Sequence, residues 1–530
     1  MSADSGFARS AGVAGAATFA SRVLGLVRDQ VVLAMYGAGN DMDAFIVAFR
    51  IPNLVRDLFA EGAMSAAFVP AFTRHLTLHG KAAAWRLGSN VVSALLLVTG
   101  VLVAIGMIFA APLASLFAGD YANVPGKLEL TTQLTRVMLP FLTLAAIAAA
   151  MMGMLNSLHH YFVPALSPAM FNVATIAAAV LLTPAMIAAG ARPITAIAAG
   201  ALLGGIGQIL VQWRALRAEG FRYRFFVDWR DPGLRRILLL MGPGTIGLAA
   251  TQVNVFVNTL LATAEGTGAA SWLSYAFRLM YLPIGVFGVS IATVVLPMAA
   301  RHAAVDDPDG LRRTVSRGLG LMLALNVPAT VGLIVLSLPI VRVLFEHGRF
   351  QPSDSEAVAS ALRFYSLGLV GYSAARIASP VFYAVGRNRV PVVISVASIG
   401  VNVVASLLLI RPFGFRGLAL GTSIAAIVHG CSLLVLLRHA LGGLEVTRLG
   451  ATLAKTLAAS GVMAGAALWT HAITTRAIQN QDTLAQAGNL VASIAAGLVA
   501  LALAAKVVRI AEFDDVTGRL REQVRLLLSR

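Results

Sequence analysis

The sequence predicts an all-α polytopic membrane protein of about 14 transmembrane helices: two six-helix lobes that are parallel repeats, then two C-terminal helices. Three observations predict it. The 530 residues are 58% apolar and only 12% charged, with a mean hydropathy of +0.80, whereas a soluble chain carries about a quarter charged residues. Runs of the roughly 20 apolar residues that a helix needs to cross a bilayer recur along the whole chain. The second half also carries a weak copy of the first. Disorder, fibrous repeats and an ordinary soluble enzyme are excluded by the composition.

The apolar runs fall near 11–35, 43–69, 89–118, 132–156, 164–186, 194–213, 237–262, 271–298, 316–345, 358–384, 391–410, 417–437, 451–472 and 487–508. The first two are the least apolar. Glycine (49) and proline (20) recur inside the runs, as suits membrane helices, where small residues allow close approach and neighbours satisfy a kinked backbone. Arg9 resembles the basic start of a signal peptide, but Arg22 and Arg28 interrupt the apolar stretch and no clean cleavage site follows, so the first helix is expected to be retained. The one cysteine, Cys431, excludes a disulfide framework and a thiolate metal site.

The charges are few and lopsided: 41 Lys and Arg against 24 Asp and Glu, a formal net charge of +17. In a soluble chain that balance points to nucleic acid. Here it reports membrane orientation, because basic loops stay cytoplasmic. With the N-terminus inside, alternate loops, the tails and the span ends beside them hold 25 Lys and Arg on the cytoplasmic side and 6 opposite, with 10 left deeper inside spans. Both termini are therefore expected in the cytoplasm, with an even number of spans and no nucleic-acid partner. The loop around Phe221-Arg222-Tyr223-Arg224-Phe225 mixes aromatics and arginines as the headgroup layer favours. In the last twenty residues Val516, Leu520, Val524, Leu527 and Leu528 fall at the spacing of an amphipathic helix on the membrane. Solubilising linkers and tails are the alternative reading of both segments.

The internal repeat is specific. Ala48-Phe49-Arg50, Val69-Pro70 and Arg74-His75 recur in order as Ala276-Phe277-Arg278, Leu296-Pro297 and Arg301-His302, at offsets of 228 and 227 residues. Each set lies in the second helix of a six-helix group. Six helices restore the orientation, so the copies are parallel repeats about an axis along the membrane normal, a construction common in transporters. The expected organisation is an N-terminal lobe with its basic cytoplasmic loop over 1–236, a C-terminal lobe over 237–440, a further helix pair over 441–510 and a cytoplasmic tail over 511–530.

Ionisable groups at membrane depth are costly, about 2.5–3.5 kcal/mol for a central arginine, and persist where they face a wet cavity. They concentrate in the first two spans as Arg22, Arg28, Asp29, Arg50, Arg56, Asp57 and Glu61, with Arg278 in the eighth. Arg22 and Asp29 share a helix face, as do Arg50, Asp57 and Glu61, so these sets can neutralise one another. Arg28 and Arg56 each lie six residues beyond another arginine, rotated about 120° from it, and are expected to be the unpaired cations. Arg22, Arg28, Arg56 and Arg278 form the candidate substrate site, with Asp29, Arg50, Asn53, Asp57 and Glu61 as cavity or gating support. Arginine's planar fork suits a phosphate or diphosphate, so the substrate is expected to be anionic. Arg50 also reads as a structural partner of Asp57, and Arg136, Arg342, Arg363 and Arg376, near span ends, as side chains that snorkel to the interface. Proton relay by Asp29 or Glu61 is possible in principle, but pairing with arginine is the plainer account.

Catalysis finds no support. The nine histidines are scattered, His75, His79, His159 and His160 in cytoplasmic loops, and no P-loop, HExxH motif or catalytic domain is present. The chain is expected to be a secondary transporter rather than an enzyme, with no cofactor, no metal site and no bound nucleotide, driven by membrane potential or an ion gradient.

The residues Ser21-Arg22-Val23-Leu24-Gly25-Leu26-Val27-Arg28-Asp29, Asp43-Ala44-Phe45, Pro52-Asn53-Leu54-Val55-Arg56 and Phe59-Ala60-Glu61-Gly62-Ala63 through Pro70 strongly resemble the MurJ/MviN family. So do Ser271-Trp272, Arg278-Leu279-Met280 and Gly285-Val286-Phe287-Gly288-Val289. These are bacterial lipid II flippases of the multidrug/oligosaccharidyl-lipid/polysaccharide exporter superfamily. The resemblance implies a V-shaped pair of lobes around a cationic cavity in the bacterial inner membrane. It also implies alternating access that carries undecaprenyl-diphosphate-linked lipid II to the outer leaflet for peptidoglycan synthesis. By motif, the family's cavity arginines fall on Arg22, Arg28, Arg56 and Arg278, and its lipid-tail groove on the last two spans.

This chain departs from the family near Arg278, where some members carry acids and it has Phe277 and Tyr281, so gating salt bridges are not carried over. Some members are thought to bind sodium through carboxylates in the second lobe. Span 11 here offers Asn402 and Ser406 and no acid, so a sodium site is not carried over either. A flippase for another polyprenyl-diphosphate glycan, of the O-antigen type, is the runner-up. A multidrug cation antiporter would present carboxylates and aromatics instead, and a scaffold without transport would not need the arginines.

Overall fold

Asp-Pro pairs, glycines and short polar turns cut the apolar sequence into helices. In the computed structural model residues 3–57, 64–477 and 482–513 are described, and no strand occurs among them. Glu61 and the expected amphipathic tail beyond Phe513 lie outside the described residues. Residues up to Ser271, together with His347–Gln351, form one compact unit; Trp272–Glu346 and the chain from Pro352 form a second.

The first unit contains α1 (Ala3–Tyr36), α2 (Asn40–Arg56), α3 (Met64–Ile108), α4 (Ala110–Ala118), α5 (Lys127–Met138), α6 (Phe141–Ser157), α7 (Phe162–Ala188), α8 (Thr195–Ala218) and α9 (Pro232–Thr263). It ends in the first turn of α10 (Ala269–Pro283). The second unit holds the rest of α10, then α11 (Val289–Ala304), α12 (Pro308–Val335), α13 (Ser337–Phe345), α14 (Pro352–Ser366) and α15 (Leu369–Ala384). It continues with α16 (Arg389–Phe413), α17 (Phe415–Ala440), α18 (Val446–Ala477) and α19 (Thr483–Val508). Ten described helical stretches, from Ala67–Ile108 to Thr483–Val508, are long and apolar enough to cross a membrane. The remaining expected spans fall on α1 (11–35), on α2 and the start of α3 (43–69, of which 58–63 lie outside the described residues), on α9 (237–262) and on the pair α14–α15 (358–384).

Several boundaries follow from local chemistry. Asp231 and Asp307 accept hydrogen bonds from the backbone N–H of Leu234 (2.9 Å) and Gly310 (2.8 Å), capping α9 and α12, and each is followed by a proline at the first helical position. At the end of α10, Pro283 lacks an N–H and the helix widens into one π turn, Ile284–Gly288. Within α3 the helix breaks at Gly80, whose φ of 78° favours glycine. Gly37 and Gly348, both at positive φ, let the His347–Gln351 loop lie against the end of α1, where the Arg349 N–H donates to the Ala34 carbonyl at 2.8 Å.

The core of the first unit packs Phe68, Phe72, Leu87, Met154, Leu155, Phe221 and Leu234 around the inner part of α3. In the 221–228 segment, which has no regular secondary structure, Phe221 is buried and Tyr223 half-buried while Arg222, Arg224 and Phe225 are exposed. Asn90 clamps this segment by donating to the Asp228 carbonyl and accepting its N–H, and Ser93 bonds Tyr223. Two of the aromatics expected at the headgroup layer therefore belong to the core. In the second unit α11, α12, α15 and α17 share a core of Val315, Leu319, Ile377, Phe382 and Leu433. There Glu512, just past α19, is buried against Arg448 and Thr452, and Ile510 packs on α18.

One interaction in the first unit is fully buried and ionic. Asp43, 0% exposed, accepts from Lys127 Nζ at 2.9 Å, from the N–H of Gly268 at 2.7 Å, and from the N–H (3.1 Å) and hydroxyl (2.7 Å) of Ser271. The Lys127 ammonium also lies 3.9 Å from the centre of the Tyr121 ring. A carboxylate on α2 thus caps the first turn of α10, where unpaired N–H groups and the helix dipole favour negative charge. Asp43 and Ser271 are 228 residues apart, the offset of the internal repeat, so equivalent positions of the two copies bond one another.

Lys127→Met leaves that carboxylate buried without its counter-charge and is expected to cost about 3–5 kcal/mol. Thermal unfolding in detergent should show a large drop in Tm, smaller when Asp43→Asn is added; an unchanged Tm would contradict the account. At the turn after α8, Glu219 accepts from Lys81 (2.9 Å) and His160 (2.8 Å), which hold its carboxyl below the usual 4.5. A depressed pKa stabilises above the unfolded value and is lost as pH falls through the folded one. Glu219→Gln should lower Tm slightly at pH 7, with the difference from wild type vanishing in acid.

Candidate functional site

Three residues of the α1 face that meets α7, namely Ser21, Gly25 and Arg28, lie at i, i+4 and i+7. Arg28 is 18% exposed at its side chain. Its Nε and Nη2 donate to Asp29 Oδ1 at 3.1 and 2.7 Å, and its Nη1 donates to Asn172 Oδ1 on α7 at 3.0 Å. Asn172 in turn donates through Nδ2 to the Ser21 carbonyl at 3.0 Å. The guanidinium stands 5.5 Å from the Phe171 ring, a cation–π platform. Phe171 itself packs on Phe49 of α2 and Phe141 of α6.

Arg56 repeats the pattern at the end of α2: Nε and Nη2 reach Asp57 Oδ1 at 3.1 and 2.8 Å. Here the structure corrects the sequence reading. Helical spacing makes Arg28 and Arg56 the expected unpaired cations; instead each of these arginines folds over the aspartate that follows it. Residues seven apart on a helix are about 10 Å apart along its axis, so a long arginine stem reaches its neighbour in sequence more easily. That short contact is the one both arginines make. Arg22 is exposed on α1, and Arg50 and Asn53 are half-buried on α2.

In the second unit Arg278 is exposed on α10, its guanidinium 5.1 Å from the Tyr275 ring. Phe277 and Tyr281, at the departures from the family, stack at 5.9 Å, and Phe277 meets Tyr365 and Tyr372 edge-on. The Tyr281 hydroxyl accepts from Arg376, and Ser337 accepts from Arg363 Nε at 2.7 Å. These two arginines, expected to snorkel, hold specific polar partners instead. At span 11, Asn402 donates to Thr422 at 3.2 Å beside the buried Ser406, so the oxygens there are neutral. No group of three or more His, Cys, Asp or Glu side chains that could hold a metal occurs among the described residues.

Asn172, Lys127 and the Asp43–Ser271 contact escaped the sequence reading. An asparagine in an apolar run has no period or motif; the one signal available was that a polar amide at that depth needs partners. Lys127 was counted with the loops because it opens a helix, although its ammonium is 2% exposed.

Known proteins resemble the chain along nearly its whole length. The model of a family described as lipid II flippase MurJ matches residues 32–510. A probable lipid II flippase MurJ of Vibrio cholerae is 34% identical over 465 residues, covering 86% of this chain and 88% of that protein. The solved structure of a lipid II flippase MurJ in an inward closed conformation matches with a TM-score of 0.75 at 24% identity, over 93% of this chain and 98% of that one. An inward-facing multidrug resistance MATE family transporter of the MOP superfamily matches with a TM-score of 0.65 at 17% identity, over 80% of this chain and 94% of that one. At such identities the two structures speak for the fold alone.

Proposed function

The chain belongs to the MurJ family of lipid II flippases, and on that premise we propose that Arg22, Arg28, Arg56 and Arg278 bind the diphosphate of lipid II while it passes from the inner to the outer leaflet. The observation that carries this reading is the held guanidinium of Arg28 within apolar helix, fixed by one carboxylate, one amide and one aromatic ring. Arginine forks engage two phosphate oxygens at once, which an ammonium cannot do. Cations at membrane depth disfavour a cationic drug as cargo.

Alternating access supplies the transport step: the charged head is sheltered in turn from each side, and the isoprenoid chain stays in lipid. The lipid tail is assigned to α18 and α19, over 441–510, whose outward side chains include Leu484, Val491, Leu498, Leu503 and Val507. The lobes are assigned to 1–236 and 237–440. Both termini are placed in the cytoplasm on the basic-loop asymmetry. With no nucleotide-binding motif in the sequence, membrane potential or an ion gradient is the proposed driving force. Asp29, Arg50, Asn53, Asp57 and Glu61 support the site.

In cells depleted of their own lipid II flippase, Arg28→Ala and Arg56→Ala are expected to abolish rescue while the protein still reaches the membrane. Lysine at either position should rescue partly, because charge is kept and the fork is lost. The assay pairs growth with a direct measurement of lipid II in the outer leaflet. Normal growth with alanine at all four arginines would overturn the site.

A further inference from the structure

The amide of Asn172 is 7% exposed and satisfied on both sides: Oδ1 accepts from Arg28 and Nδ2 donates to the Ser21 carbonyl. Only one orientation achieves this. Turned over, the amide would set its N–H₂ against the guanidinium and its oxygen against a carbonyl oxygen, losing both bonds. The contact to Ser21 therefore decides which atom faces Arg28. It also ties α7 to the α1 backbone at the residue before Arg22.

Charge matters as much as direction. Arg28 already carries one carboxylate, Asp29, at 2.7 Å. A second would make the cluster net negative and repel a diphosphate; no acceptor would let the guanidinium swing. A neutral oxygen avoids both. We infer that Asn172 is a positioning residue for Arg28: it aims the guanidinium and, being uncharged, leaves it a single carboxylate partner so that the site accepts an anion. This rests on the reading of Arg28 as a diphosphate ligand.

The test measures binding of undecaprenyl diphosphate to the purified full-length protein in nanodiscs, with undecaprenol as the uncharged control. Arg28→Ala tests the underlying reading; if it binds diphosphate as tightly as wild type, that reading falls. With that loss in hand, Asn172→Asp is expected to weaken diphosphate binding at least about tenfold and to leave undecaprenol binding unchanged. Adding Asp29→Asn returns the carboxylate count to one and should recover most of that loss, which a packing role for the amide would not allow. Asn172→Ala, which removes the acceptor without adding charge, should cost about threefold. Wild-type diphosphate affinity in both Asn172 variants would overturn the inference. So would equal losses for diphosphate and undecaprenol, or no recovery in the double variant relative to Asn172→Asp.

Discussion

A charge buried among apolar helices must find its counter-charge inside the protein, and the structure is organised around that requirement. Asp43 meets it most completely. Its two oxygens are shared among an ammonium, two backbone N–H groups and a hydroxyl, so α2, α5 and the first turn of α10 hold one another's orientation. None of these groups has water to fall back on. The contact is therefore stable only as a set.

The arginines of α1 and α2 satisfy the same requirement differently. Arg28 and Arg56 take their carboxylates from the next residue, a pairing that depends on no other helix. Such a local bond leaves the charge in place while packing around it changes, as a site that handles an anion during a conformational cycle needs. Asn172 then adds what a local pair lacks, a direction imposed from a second helix. In the second unit Phe277 and Tyr281 stack on the helix that carries Arg278, with Tyr365 edge-on to Phe277.

The fold was legible because its signals are cumulative. Apolar runs, basic-loop asymmetry and a repeat each extend over hundreds of residues, so no single residue decides them. The candidate residues were legible by type: Arg28 and Arg56 stand out because arginine is expensive at that depth. Their partners were not. Helical spacing says which residues share a face but not whether a flexible side chain reaches along the face or across to its neighbour. Phe221 and Tyr223 show the same limit, since a mixed aromatic and basic stretch is compatible with a headgroup layer until packing against Trp85 and Trp213 draws two of its rings into the core.

What the sequence determined by itself is the class of molecule, a helical membrane protein with a duplicated half and a few costly arginines. These follow from composition and period, which any fold of this chain must respect. The partner that reaches Arg28 from a second helix, and the counter-charge of Asp43, were decided only by tertiary structure. Asn172 lies 144 residues from Arg28, and Asp43 lies 84 from Lys127; bonds of about 3 Å between such distant positions depend on how helices pack. The charges were written in the chain, and their neutralisation was settled by the fold.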